Sequence, residues 1–407
     1  MKALVLAGGF PQISLIKELK NRNIYTILAD YYPNPVAKPY ADKFYQKSTL
    51  DVDAITEIAK EEKVDFLITA CTDQALLTVA KVSETLNLPC NIDYQSALNV
   101  TNKSYMKEIF AINNIPTAKH VVMAKYDGAK IQGMRYPLIV KPVDCNSSKG
   151  VKKVTNEEEL ISAFNTAVEL SRTDTAIVEE FIEGEELSAD IYIENGVAKV
   201  LSVSSLDKIK DNEKFVIFRG FYSYEKTEQV KPIVQKIAQQ IADAFNLKNS
   251  PMLIQMIYDG KDAFVVEFSA RTGGGVKHIL IKKVAGFDVF SAAIDLALGD
   301  KPTVKDVKPE SKFIVNDFIY CYPGKFDKLA GFKELKDEGI ISDYYLFKNV
   351  GAEFKTISNS GDRIAGFTIQ ADTIEEVRNK HDIAISRMQV LDENGNDIMR
   401  KDLLVNV

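Results

Sequence analysis

Glu267, Ser269 and Arg271 stand at alternate positions in the run Val265-Val266-Glu267-Phe268-Ser269-Ala270-Arg271. In a β-strand alternate side chains share a face, so these three project together while Val266, Phe268 and Ala270 point into packing. Gln255 lies on the preceding strand, which the turn Asp259-Gly260-Lys261 folds back alongside. A carboxylate, a hydroxyl and a guanidinium in line, opposite a carboxamide, can hold oxygen-preferring Mg2+ together with a phosphate oxygen. The same alternation also describes an ordinary exposed strand face. Thr272-Gly273-Gly274-Gly275 follows, however, and a glycine run after a strand supplies amide groups for an anion and room for close approach.

Upstream, Pro137-Leu138-Ile139-Val140-Lys141-Pro142 puts one lysine at the end of a buried strand. Lys141 is there either as a phosphate ligand or as a strand-end lysine that snorkels to water. The polar stretch Asp144-Cys145-Asn146-Ser147-Ser148-Lys149-Gly150-Val151 reads as a loop able to close over phosphates, or as a plain hairpin. No G-x-x-x-x-G-K-[ST] occurs, so this is not a Walker loop. His278 is a candidate base, with packing or capping at a helix start as its other reading.

The 51 Lys and Arg against 57 Asp and Glu give a net charge of −6. That lacks the basic footprint of a nucleic-acid binder. No apolar run approaches the roughly 20 residues that cross a bilayer. The opening Met-Lys-Ala-Leu-Val-Leu-Ala-Gly-Gly is too short for a secretory h-region, so a soluble cytoplasmic protein is expected. Cys71, Cys90, Cys145 and Cys321 are far apart, which suggests neither a disulfide framework nor a thiolate zinc site. Three scattered histidines, His120, His278 and His381, make a His-rich metal hydrolase improbable.

The elements that must carry these residues fall into three textures. Lys2 to Ala7, Tyr25 to Asp30 and Asp65 to Ala70 read as strands, alternating with helices over Gln12 to Asn21 and Asp53 to Lys63. Such alternation indicates βαβ units and a parallel sheet. The turn after the first strand carries Gly8-Gly9, but the bulky Phe10 and Pro11 stand where a dinucleotide pyrophosphate would need close approach. From about Thr101 the pattern changes to short strands with tight turns: Tyr136 to Pro142, Ala176 to Ile182, Glu186 to Glu194, Val197 to Ser204, Met252 to Tyr258 and Ala263 to Ser269. Helices are expected at Lys103 to Asn113, Asn156 to Leu170 and Val230 to Phe245. Beyond Pro302 come scattered strands and a late helix at Ile374 to Arg387.

Taken in order, Lys103, Val140-Lys141-Pro142, Ser147-Ser148-Lys149-Gly150-Val151, Val178 to Glu186, Gln255 and Glu267 to Arg271 resemble the ATP-grasp superfamily. The likeness covers nearly the whole chain and is closest to the biotin carboxylase, L-amino acid ligase and glycinamide ribonucleotide ligase branches. It implies a mixed α/β and α+β protein. A Rossmann-like pre-ATP-grasp domain is expected over 1–100. An ATP-grasp core of antiparallel sheets then spans 101–307, with a lid subdomain at about 116–182, and a β-rich C-terminal domain spans 308–407.

The resemblance also assigns residues. Lys103 and Lys141 would neutralise the α- and β-phosphates of ATP, and Ser147 and Ser148 would form the phosphate lid. Glu179, Glu180, Phe181 and Ile182 would be the hinge whose backbone reads adenine, and Glu186 would accept from the ribose. Two adjacent carboxylates repel phosphate, so an acceptor role toward the adenine amino group or the ribose suits Glu179 and Glu180. Gln255, Glu267 and Ser269 match the metal positions for Mg2+ (or Mn2+). There the family more often has an acid for Gln255 and Asn for Ser269, which puts the second metal in question. Glu267 and Arg271 would be the catalytic pair, with the guanidinium near the transferred phosphate. Arg363, after Gly361-Asp362, could reach the site from the third domain.

The implied activity is an ATP-dependent carboxylate-amine (or ammonia) ligase that works through an acylphosphate on an amino acid or sugar-acid type acceptor. Its partners would be a small-molecule carboxylate and an amine, with no nucleic acid and no membrane, and homodimerisation is a family expectation. A purine-pathway ribonucleotide ligase is the alternative within the superfamily, with Lys38 and Lys43 as the only basic candidates in the front domain for a ribose phosphate. A non-catalytic ATP-binding regulatory protein is the alternative outside catalysis.

Overall fold

The computed structural model describes residues 1–145, 149–209, 215–405 and 407. Strands β1 (Lys2–Leu6), β2 (Tyr25–Asp30), β3 (Lys43–Gln46) and β4 (Phe66–Thr69) form a parallel sheet in the order β3-β2-β1-β4. Helix Phe10–Asn21 packs on one face with Leu15, Ile16 and Leu19, and helices Val52–Glu62 and Asp73–Leu86 cover the other. Burial on both faces explains why β1 and β2 read as unbroken apolar runs rather than alternating ones.

In the stretch expected to form the lid lies a second, antiparallel sheet of β5 (His120–Met123), β6 (Leu138–Pro142), β7 (Lys152–Val154) and β8 (Ala176–Glu180), ordered β5-β8-β6-β7. Helix Glu157–Leu170 backs it, and Leu160 and Phe164 join Val140 and Val178 in a core of its own.

The largest sheet has eight antiparallel strands in the order β13-β12-β9-β10-β11-β14-β18-β16. They are β9 (Glu185–Glu194), β10 (Val197–Lys208), β11 (Ile217–Ser223), β12 (Ser250–Tyr258), β13 (Ala263–Ser269), β14 (Phe313–Ile319), β16 (Asp343–Leu346) and β18 (Ala365–Ala371). Helices Lys103–Ile112 and Tyr224–Ala244 close its core. β14, β18 and β16 come from the segment after residue 308, so the sheet runs unbroken from the central segment into the C-terminal one. β15 (Gly324–Ala330), β17 (Glu353–Phe354) and β19 (Gln389–Asp392) make a small sheet beside it, and helix Ile374–Arg387 packs over β18 and β14.

At the junction Arg219 on β11 pairs with Asp317 on β14 at 2.6 and 2.8 Å, and His381 reaches the same carboxylate at 2.8 Å. All three are buried. Buried charges are tolerated only when paired and hydrogen-bonded, so this cluster pins the register of β11 against β14. Among the described residues no helix is long and apolar enough to cross a membrane.

Candidate active site

A cleft of about 660 Å3 opens between the lid sheet and the large sheet. Ile139, Phe181 and Ile182 line it from the lid side, and Ile257, Phe264 and Val266 from the other. Apolar walls on both faces suit a planar ring. Val266 corrects the strict alternation expected from the sequence. Gln255 pairs with Glu267 but Met256 pairs with Val265, so Val266 is the extra residue of a β-bulge. Val265 is buried in its place, and Val266 faces the cleft.

At the inner end of this cleft three lysines meet two carboxylates. Lys103 Nζ lies 3.0 Å from Glu267 Oε2 and donates to the Cys145 carbonyl at 2.9 Å. Lys107 and Lys141 hold the two oxygens of Glu179 at 2.7 and 2.5 Å. Burial alone would raise the Glu179 pKa, but the two ammonium groups outweigh it and pull it down to about 2. Burial also opposes the charged forms of Lys103 and Glu267, and their mutual attraction wins at both, raising the lysine and lowering the acid. Lys107, the most buried of the three, shifts downward, because burial and the nearby Lys141 outweigh Glu179. Lys107 was not anticipated. Its signal is the i, i+4 spacing from Lys103, which puts both on one face of helix Lys103–Ile112.

The hinge residues line the cleft, but their carboxylates are engaged. Each oxygen of Glu179 lies against a lysine ammonium, so its carboxylate faces the lysines rather than standing free for an adenine amino group. It sets a negative charge between Lys107 and Lys141 and holds both ammonium groups in place. Glu180 takes a two-pronged contact from Arg135 at 3.0 and 3.2 Å, and Glu186 pairs with Lys208. The Phe181 amide donates to the Pro137 carbonyl at 3.0 Å. Ser147 and Ser148 lie outside the described residues.

A second cavity of about 350 Å3 adjoins the cleft and shares Lys103, Gln255 and Glu267 with it. Its other walls come from all parts of the chain: Asp73 from the front domain, Arg271 and Lys277 from the centre, and Arg363 from the C-terminal segment. Arg271 does not stand free. Its Nε and Nη2 each donate to Asp73 at 2.6 Å, and its Nη1 donates to the Thr272 carbonyl at 2.8 Å. Ser269 donates its hydroxyl to the same Asp73 carboxylate, which corrects its expected role as a metal ligand. Against the cost of burial, Arg271 keeps the Asp73 pKa low.

Asp73, at the start of helix Asp73–Leu86, is thus a site residue the sequence reading missed. Asp190 is another. It is buried, and its Oδ2 takes Lys277 at 3.0 Å and the Ser202 hydroxyl at 2.6 Å. The glycine run makes room for these contacts. A Cβ on Gly273 would fall 2.9 Å from Lys277 Cγ, and Gly275 has φ +65° with the Phe318 ring 2.9 Å from where a Cβ would sit. His278 lines neither cavity. Stacked on Phe290 with ring centroids 4.5 Å apart, it is pushed by burial down to about 4, so it is neutral packing.

Gln255 and Glu267 are directly opposed across β12 and β13, and both face the cleft and the second cavity. About a third of the Glu267 side chain remains open. One carboxylate and one amide oxygen, in front of a cluster of three lysines, fit a hard divalent cation that would draw its remaining oxygens from phosphate and water. Among the described residues no group of three His, Cys, Asp or Glu is placed to hold a metal ion.

Residues 134–279 match the model of the ATP-grasp domain. Phosphoribosylamine–glycine ligase of Halalkalibacterium halodurans is 23% identical over 301 residues, 68% of each chain. An L-amino acid ligase from Bacillus licheniformis superposes with a TM-score of 0.80 at 20% identity, covering 97% of this chain and 99% of that one. The biotin carboxylase domain dimer of 2-oxoglutarate carboxylase from Hydrogenobacter thermophilus, in complex with MgADP, superposes with a TM-score of 0.78 at 16% identity, covering 99% and 92%. The lysine-lined cleft between two antiparallel sheets is built largely from the matched segment, so residues 134–279 carry an ATP-grasp domain, and the chain as a whole shares the fold of these ligases and carboxylases.

Proposed function

We propose that the chain joins a small carboxylate to an amine through an acylphosphate, with ATP as its magnesium complex and amino-acid-like substrates. The observation that carries this reading is the wall of Lys103, Gln255 and Glu267 common to the two cavities. A nucleotide seated in the larger cavity would present its γ-phosphate at that wall, and a carboxylate in the smaller one would meet it there.

In the first step a substrate carboxylate oxygen forms a bond to the γ-phosphorus and the bond to ADP breaks. In the second the amine nitrogen attacks the acyl carbon, and the phosphate leaves with the proton the nitrogen gives up. Lys103, Lys107 and Lys141 hold negative charge in place, and no covalent enzyme nucleophile is needed. Mg2+, held by Glu267 and Gln255 when bound, would neutralise charge on the phosphates. Arg271, fixed by Asp73, would orient the reacting groups at the rim.

The front domain supports amino-acid-like substrates over a ribonucleotide. In its glycine turn the Gly8 amide already donates to Asp30 at 2.6 Å, and Phe10 fills the adjoining space against Tyr345 and Phe347. A phosphate arriving there would face a carboxylate. The homodimer expected from the resemblance belongs to this proposal too. The test is release of ADP and phosphate from ATP and Mg2+ with mixed amino acids. Tight ATP binding with no release across a broad panel of carboxylates and amines would replace the ligase reading with a regulatory one.

A further inference from the structure

The cations lining the second cavity are Lys103, Arg271, Lys277 and Arg363. The first three have carboxylate partners in Glu267, Asp73 and Asp190. Among the described residues Arg363 has none. Its Nε donates to the Tyr320 hydroxyl at 3.1 Å, its Nη2 donates to the Ile217 carbonyl at 3.0 Å, and its Cζ lies 3.8 Å from the centre of the Phe318 ring.

These contacts fix the guanidinium without neutralising it. A guanidinium has five N–H groups, and the two that are used sit on the edge shared by Nε and Nη2. Among the described residues the opposite edge, with one N–H from each Nη, has no partner, and it has the fork spacing that matches a carboxylate. Gly275 lies beside that end, where a Cβ would sit 3.6 Å from Nη1, in ordinary contact.

We infer that Arg363 seats a carboxylate that does not react, carried by the amine substrate, so that the amine partner is itself an amino acid rather than ammonia. This rests on the ligase reading and narrows it. Within the sheet β10, β9 and β12 lie between Ile217 on β11 and Glu267 on β13; Ile217 borders both cavities, but Arg363 itself lines only the second one, several strands away from Glu267. A carboxylate held there is kept apart from the one that is activated. A phosphate would bring about −1.5 to −2 charges, more than one otherwise unpaired guanidinium balances. The cavity, at about 350 Å3, is also near the lower end of the usual range for ligand sites, about 300–1,000 Å3.

The test is a two-by-two comparison of kcat/KM for wild type and Arg363→Ala, each with an amino acid and with its carboxamide as amine partner. Wild type should lose about ten- to a hundred-fold on going to the carboxamide, the range set by a charge-assisted contact. Arg363→Ala should lose as much with the amino acid and little more with the carboxamide, and Arg363→Lys should recover part of the loss. Equal sensitivity of both enzymes to the carboxamide change would overturn the inference, as would preference for ammonium or for phosphoethanolamine. Hydroxylamine trapping with wild type separates the two levels. Hydroxamate formed alongside a flat comparison overturns only the Arg363 role, whereas no hydroxamate from any carboxylate overturns the ligase reading and this inference with it.

Discussion

Arg271 of the central segment and Asp73 of the front domain are locked together through two hydrogen bonds of 2.6 Å, although the residues are 198 positions apart in the chain. The pair joins two separately cored parts of the protein at the rim of the second cavity. Removing one partner from a buried ion pair leaves the other charge uncompensated, at a cost of about 3–5 kcal/mol. Asp73→Ala and Arg271→Ala should therefore each destabilise the protein on that scale, while the double variant should cost much less than their sum. Urea denaturation of the four proteins measures this. Strict additivity would mean that the two side chains do not act on each other.

On the proposed reading, Gln255 is where the metal site can be tuned. A neutral amide opposite Glu267 gives the cation one charge fewer than a second carboxylate would. Gln255→Glu should lower the Mg2+ concentration needed for half-maximal phosphate release, and Glu267→Ala should abolish release while leaving the far-ultraviolet circular dichroism unchanged. Undiminished release from Glu267→Ala would remove Glu267 from the metal site.

Much of this arrangement is legible in the sequence where local pattern decides. Tyr25–Asp30, Ala263–Ser269 and Ile374–Arg387 fall where periodicity puts them, and the alternation of Glu267, Ser269 and Arg271 brings all three to the second cavity. What pattern cannot show is pairing over distance. Asp73 and Asp190 look like a helix-start acid and a strand polar residue until Arg271 and Lys277 arrive from elsewhere in the chain. The bulge at Val266 depends on the register against β12, which no property of β13 reveals. Helix Tyr224–Ala244 begins before its apolar period does, because the Ser223 side chain caps the Lys226 amide and the first turn needs no buried stripe.

Glu179 carries a pH dependence with a defined sign. Its folded pKa is lowered to about 2 from a usual 4.5, because Lys107 and Lys141 outweigh burial. A carboxylate lowered in this way contributes stability that is fully present above the unfolded value and is lost as pH falls toward the folded one. Wild type should lose stability between pH 4.5 and 2 more steeply than Glu179→Gln. ATP should also raise the melting temperature of Glu179→Gln more than that of wild type, since the phosphates restore the missing counter-charge to the lysines. Parallel acid-unfolding curves for the two proteins would show that the lysines do not hold Glu179 ionised.

His278 gives the opposite chemistry with a similar outcome in acid. Burial against Phe290 lowers its pKa from 6.5 to about 4, so the folded protein keeps it neutral while the unfolded chain protonates it. The unfolded state then binds more protons below pH 6.5, and stability falls as pH drops from 6.5 to about 4. His278→Phe keeps a flat ring for the stack and removes the titrating group, so it should flatten this part of the stability profile. Among the described residues it forfeits the Nε2 contact to Ser14 at 3.2 Å, and Nδ1 has no partner to lose. If His278 were instead a base for the incoming amine, His278→Phe would remove turnover at every pH, and the pH profile of phosphate release distinguishes the two cases.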